Sequence, residues 1–168
     1  MDRTDFEPVF FAPFVSSPMA LEREWIDYNG HLNMAYYCVL FDRAFDEALG
    51  LLGLGETYAV TRRSSFFTAE SHVRYLRELG AGAAVRATVQ LVDYDEKRLH
   101  LFQQLHHASE GWIASTCEQV ALHVNLGTRR VTPLPDDVLE RIAGMRTVHA
   151  ALPRPDGLGR GIGMHVRS

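Results

Sequence analysis

The spacing of apolar and polar residues changes along the chain, and the changes predict its layout. Phe10 to Trp25 is an apolar stretch broken by Pro13 and Pro18, and its second half, Met19–Trp25, alternates with the period of a strand. Ile26 to Leu32 is rich in turn formers. From Asn33 the period becomes helical. Tyr37, Phe41, Ala44, Phe45, Ala48 and Leu52 fall on one face, with Asp42, Arg43, Asp46 and Glu47 opposite. Cys38, Leu40, Leu49 and Leu51 widen the stripe. The predicted helix has Asn33 as N-cap and ends near Gly50 or Gly53. So broad an apolar arc calls for a curved surface that grips it.

Gly53–Arg63 reads as a connector with one helical turn. The period then becomes two. Strands are predicted at 66–76, 84–92, 98–107 and 112–124, separated by short polar turns such as Asp93–Lys97 and Ala108–Gly111. Pro133–Asp137 opens a short helix, Val138–Ile142, and the tail after Met145 is rich in Pro and Gly. The expected fold class is α+β: a curved antiparallel sheet of about five strands around one long central helix. Residues 1–146 are expected to form one domain and 147–168 a C-terminal extension, flexible or ordered by a partner. The edge strands and the outer face of such a sheet favour pairing with further copies, as a homodimer or homotetramer.

Composition narrows the chemistry. The 168 residues suit one domain, and a net charge of -4 without a basic cluster argues against nucleic acid. No apolar run reaches the roughly 20 residues of a membrane span, and Met1–Asp5 does not resemble a signal peptide, so a cytoplasmic setting is expected. Cys38 and Cys117 form no ligand or redox spacing and are expected as buried free thiols. The eight histidines, including His106-His107, show no metal-ligand spacing, so no metal is expected. No GxSxG elbow is present.

Asp27-Tyr28-Asn29-Gly30-His31-Leu32-Asn33 resembles the D-x-x-G-H-x-N motif of hot-dog thioesterases of the 4-hydroxybenzoyl-CoA type, which sits directly ahead of their long helix. Tyr75-Leu76-Arg77 with Gly80 and Gly82, and Val120–Pro135, resemble later segments of that family. The resemblance covers about residues 14–143. Met34 stands where relatives often repeat Asn, and Asn125 where Asp is common. The wording around Trp25–His31 and Glu70–Leu76 is especially similar to betainyl-CoA thioesterases.

The resemblance implies an acyl-CoA thioesterase with a small acyl-CoA as substrate and no separate cofactor. Asp27 is then the nucleophile or general base. The backbone N–H of Met34, at the start of the helix, becomes the oxyanion donor. On residue type alone Asp27 reads first as a turn or helix cap, and the resemblance turns the reading to catalysis. Gly30 permits a close turn, Asn29 could bind the water or the carbonyl, and His31 is a candidate proton carrier that the motif more often uses structurally. For a quaternary ammonium acyl group, Glu70 is the candidate counter-charge, with Trp25, Tyr28, Tyr36 and Phe66 as an aromatic cage. Arg62, Arg63, Arg74, Arg77, Arg129 and Arg130 are candidates for the anionic end of CoA. Two other readings stay open: a hot-dog dehydratase, and an acyl-CoA or effector-binding module without catalysis.

Overall fold

The fold is described from a computed structural model, over residues 10–164. Met1–Asp5, read above for a signal peptide, and the last four residues of the extension lie outside the described residues. Four long antiparallel strands dominate: β3 (Ser64–Tyr75), β4 (Ala84–Tyr94), β5 (Arg98–His107) and β6 (Ile113–Asn125). The two-residue strands β1 (Phe14–Val15) and β2 (Met19–Ala20) pair with β4, and β7 (Arg130–Val131) pairs with β6. The sheet runs β1-β4-β5-β6-β3, and among the described residues no further strand pairs with the outer side of β3.

The sheet wraps the helix α1 (Met34–Leu51), the arrangement that the broad apolar arc calls for. Leu40, Phe41, Ala44, Phe45 and Ala48 meet Val85, Ala87, Val89, Leu99, Leu101 and Leu105, all buried. Each fully buried aliphatic side chain here contributes about 1.5–3 kcal/mol over its exposed state. The helix α2 (Glu56–Arg62) fills the connector, and α3 (Asp136–His149) packs on β4.

Several sequence expectations need correction. The strand expected at Met19–Trp25 shrinks to β2, and Arg23–Trp25 closes into a 3₁₀ turn. Pro13 and Pro18 bracket β1 and cannot donate to a ladder, so the edge beside β4 is broken between β1 and β2, and the 3₁₀ turn follows soon after β2. Cys38 is exposed and only Cys117 is buried, because Cys38 and Leu51 lie outside the gripped face of α1. Burial pushes the Cys117 thiol up to about 12, which leaves it protonated and unreactive at neutral pH.

The last helix extends to His149 rather than ending at Ile142. Gly144 lies inside it because a Cβ there would stand 2.7 Å from the Phe10 ring. After α3 the chain lies across the outer face of the sheet, where the Gly159 N–H donates to Glu118 Oε2 at 2.7 Å.

Candidate active site

The segment between the 3₁₀ turn and α1 forms a tight loop closed by backbone. Asp27 N–H donates to the His31 carbonyl (3.1 Å), and Gly30 N–H donates to the Asp27 carbonyl (2.9 Å). Gly30 sits at φ +80°, where a side chain would be strained. Leu32 N–H then reaches the Leu79 carbonyl and His31 bridges to Gly80, which joins the motif to the glycine turn after β3. Two of the sequence segments that carry the family resemblance therefore meet in space.

Asp27 is half-buried, and each carboxylate oxygen accepts one hydrogen bond from a neutral donor. Oδ1 accepts from Asn29 N–H at 2.8 Å, and Oδ2 accepts from Asn33 Nδ2 at 3.1 Å. Among the described residues no cation pairs with Asp27. A carboxylate has about four lone-pair positions, so two remain for a water or an acyl carbon. The capping expectation for Asp27 is thus met through Asn29, while its acceptor capacity is only half used.

Asn33 ties this carboxylate to the helix. Its Oδ1 accepts from Ala35 N–H at 3.0 Å as the N-cap, while its Nδ2 holds Asp27. Met34 is the first residue of α1, so no upstream carbonyl of the helix is available to its N–H. The Met34 carbonyl accepts from Tyr75 Oη at 3.1 Å, which pins the helix start to the end of β3. The Asn33→Ala substitution should remove about 1 kcal/mol of cap stability, or roughly 2–4 °C in Tm, and lower kcat by about ten- to a hundredfold through a misplaced Asp27. Asn33→Asp should recover the melting temperature and not the rate, since the cap returns but a second carboxylate faces Asp27. Equal recovery of both in thermal melts and turnover assays would count against this coupling.

The other candidate residues separate into groups. Trp25 and Tyr36 stack with centroids 5.3 Å apart, and the Arg43 guanidinium covers Trp25 from 5.1 Å. Tyr28 projects from the loop, 99% exposed. His31 is engaged locally, with Nδ1 at 3.2 Å from the Leu32 carbonyl and Nε2 at 3.8 Å from Glu78. Phe66 lies toward the other end of β3, against the His123 ring. Of the arginines, Arg62 is bound to Asp137, Arg77 covers Trp112 and Arg129 covers Phe67. Arg63 caps α2 in the left-handed region.

Glu70 does not join these aromatics. Strict alternation puts it on the same face as Thr68, but the ladder shifts between Thr68 and Glu70, where Ala69 bulges. The bulge reverses the parity. Thr68 stays on the helix side, where its Oγ1 accepts from Gln119. Glu70 turns to the outer face, beside a cavity of about 560 Å³ shared with His72, His100 and Glu118 under the chain at 159–162. His100 Nε2 and Glu118 Oε1 are 2.8 Å apart there.

None of the cavities described here reaches Asp27. Among the described residues no group of three or more His, Cys, Asp or Glu is placed to hold a metal ion, and no helix is long and apolar enough to cross a membrane.

A curved antiparallel sheet gripping one long helix is the architecture of a class, the hot-dog acyl-CoA thioesterases. The profile of the Thioesterase-like superfamily matches residues 22–142, and the chain belongs to that family. It is 39% identical over 141 residues to a betainyl-CoA thioesterase of Pseudomonas aeruginosa, a match covering 84% of this chain and 89% of that one. It is 38% identical to an L-carnitine dehydrogenase/betainyl-CoA thioesterase of Rhizobium meliloti; the match covers 83% of this chain and only 28% of that longer protein. A Staphylococcus aureus protein whose structure was solved in complex with CoA is 30% identical with a TM-score of 0.84, over 95% of this chain and 99% of that one. The chain is a thioester hydrolase that acts on acyl-CoA.

Proposed function

We propose that the chain hydrolyses a small acyl-CoA, betainyl-CoA foremost, to the free acid and CoA, with Asp27 as the central carboxylate. The observation that carries this reading is the placement of Asp27. Neutral donors fix it without quenching it, and Asn33 couples it to the residue whose N–H opens α1. Asp27 either attacks the acyl carbon, forming a mixed anhydride that water then opens, or takes a proton from the attacking water. In both routes the carbonyl oxygen gains negative charge, and the Met34 N–H stabilises it with the positive end of the helix behind it. A preorganised donor of this kind is worth about 3–4 kcal/mol in the transition state. The betaine acyl group is proposed on the strength of the Pseudomonas and Rhizobium relatives.

We also propose a homo-oligomer. β3 offers twelve residues of unpaired edge, with Phe67–Ser71 exposed, and an edge of that length invites a second copy.

The test is thiol release from a panel of betainyl-, aromatic and straight-chain acyl-CoAs, with solution mass by light scattering. Betainyl-CoA should give the highest kcat/KM, and the mass should be that of a dimer or tetramer. Tight binding without release across the whole panel would instead make the protein a binding module.

A further inference from the structure

Tyr75 ends β3 with its side chain on the helix side of the sheet, and it stays 46% exposed. Its hydroxyl is nevertheless committed, donating to the Met34 carbonyl at 3.1 Å. Met34 opens α1, so by the helical pattern that carbonyl already accepts from the Cys38 N–H. A carbonyl oxygen has two lone-pair positions, and Tyr75 takes the second. The bond rescues no orphaned group. Its effect lies in where it holds the Met34–Ala35 peptide.

That peptide is held from both sides. Its carbonyl accepts from Tyr75, and its N–H, that of Ala35, donates to Asn33 Oδ1 at 3.0 Å. The preceding peptide carries the Met34 N–H and is held through the Asn33 carbonyl, which accepts from the Tyr36 N–H at 3.1 Å. Peptide units are planar. With the planes on both sides of the Met34 Cα fixed, the direction of the Met34 N–H is fixed as well. Asn33 belongs to the motif loop, whereas Tyr75 belongs to a strand of 12 residues. Tyr75 thus ties the proposed oxyanion donor to the sheet.

A second tyrosine aims the hydroxyl. The Tyr37 ring meets the Tyr75 ring edge-on, with centroids 5.0 Å apart and planes at 86°, a favoured geometry for aromatic pairs. Tyr37 is buried in the first turn of α1, and its hydroxyl lies against the backbone of Leu79. The Leu79 carbonyl accepts from the Leu32 N–H at 2.8 Å and so carries the loop that presents Asp27. The two tyrosines therefore reach both halves of the site, the carboxylate loop through Leu79 and the helix start through Met34. Partial desolvation raises the Tyr75 pKa above its ordinary 10, so the group remains a donor at neutral pH.

We infer that Tyr75 is a positioning residue for thioester hydrolysis: its hydroxyl, aimed by Tyr37, orients the Met34 N–H toward the oxygen of the reacting carbonyl. The inference rests on the thioesterase reading above and adds a residue of the sheet to it.

Tyr75→Phe keeps the ring and its contact with Tyr37 and removes only the hydroxyl. It should lower kcat about tenfold with KM within about twofold of wild type, because a misaimed donor weakens the transition state more than the bound substrate. The melting temperature should fall by no more than about 2 °C, since the Met34 carbonyl keeps its helical partner. A wild-type kcat in Tyr75→Phe overturns the inference, and so does a loss carried by KM alone.

Infrared difference spectra of the thioester carbonyl, ¹³C against ¹²C, read the donor directly. The probe is the acyl-CoA that the wild type hydrolyses fastest, bound to the slow variant Asp27→Asn. Binding should lower the C=O stretch below that of the free thioester, and Asp27→Asn/Tyr75→Phe should lose part of that downshift. Only bound, and hence folded, molecules contribute the shifted band, so partial misfolding cannot mimic the result. A downshift that Tyr75→Phe leaves whole overturns the positioning role and leaves the oxyanion reading standing. No downshift in Asp27→Asn overturns the Met34 donor itself, and the role of Tyr75 with it.

Discussion

Asp27→Asn should lower kcat for thioester hydrolysis by about 10²–10⁴-fold, the range spanned by loss of a positioned acid or base. The amide can neither attack the acyl carbon nor take a proton from water. It can still accept from Asn29 N–H at the position of Oδ1, so the loop stays closed. On the Oδ2 side its NH₂ group would confront the Asn33 Nδ2, whose own oxygen is held by Ala35. A small loss of melting temperature should therefore accompany the loss of rate. Calorimetric binding of CoA separates the two effects: affinity within a few-fold of wild type, with turnover nearly gone, is the expected pair. Turnover within a factor of ten of wild type would remove Asp27 from the chemistry.

The second large effect concerns stability and falls on His149, which is fully buried. Its Nδ1 accepts from the Leu91 N–H at 2.9 Å, and its Nε2 lies 2.6 Å from the Phe11 carbonyl. Because a backbone N–H can only donate, the ring proton must sit on Nε2 and point at Phe11. This one side chain finishes the β4 edge beyond β1 and ties α3 to the segment before β1. His149→Phe leaves a buried donor and a buried acceptor without partners, at about 1–3 kcal/mol each. That corresponds to roughly 10 °C in Tm for a chain of this size. His149→Gln, which offers one acceptor and one donor, should recover part of the loss.

The same geometry makes the fold acid-sensitive. Burial holds the His149 pKa below its ordinary 6.5, against the opposing pull of the Phe11 carbonyl. Above pH 6.5 both folded and unfolded chains carry the neutral ring, and its full contribution is present. As pH falls from 6.5 toward the lower folded value, the unfolded chain gains a proton that the folded chain refuses. Stability is then lost at up to about 1.4 kcal/mol per pH unit. Thermal melts from pH 7.5 downward should show this slope in the wild type and a shallower one in His149→Gln. Superimposable curves would exclude His149 as the sensor.

Much of the fold was legible because four strands announce themselves by alternation. Each observed boundary lies within two residues of the sequence reading, and α1 begins directly after the cap that Asn33 was expected to provide. Apolar content misled where geometry makes the decision. Cys38 and Leu51 are apolar, yet the sheet grips a narrower face of α1 than composition suggests. The last helix was expected to end at Ile142, yet it runs on through Gly144, where the missing Cβ leaves room for the Phe10 ring. Met19–Trp25 alternates, but Arg23–Trp25 closes into a 3₁₀ turn and only two residues join the ladder.

The candidate site divides in the same way. Asp27, Asn33 and the start of α1 were readable from local spacing together with family resemblance, since caps and turns are local. Glu70 was not, because one bulged residue reverses every side chain that follows it, and no composition rule marks Ala69 as that residue. Asp42 and Asp46 were read as the polar side of the amphipathic helix, and both are exposed.

The stacked Arg43, Trp25 and Tyr36 also give the protein a native optical probe. Only two tryptophans are present, and the other, Trp112, lies under Arg77 beside His107. Replacing Trp112 with Phe leaves a single tryptophan, Trp25, two residues from Asp27 and with its own backbone carbonyl accepting from the Asn33 N–H. Arrival of an acyl-CoA and departure of its products can then be followed in stopped flow as changes in that indole's emission, with no label attached.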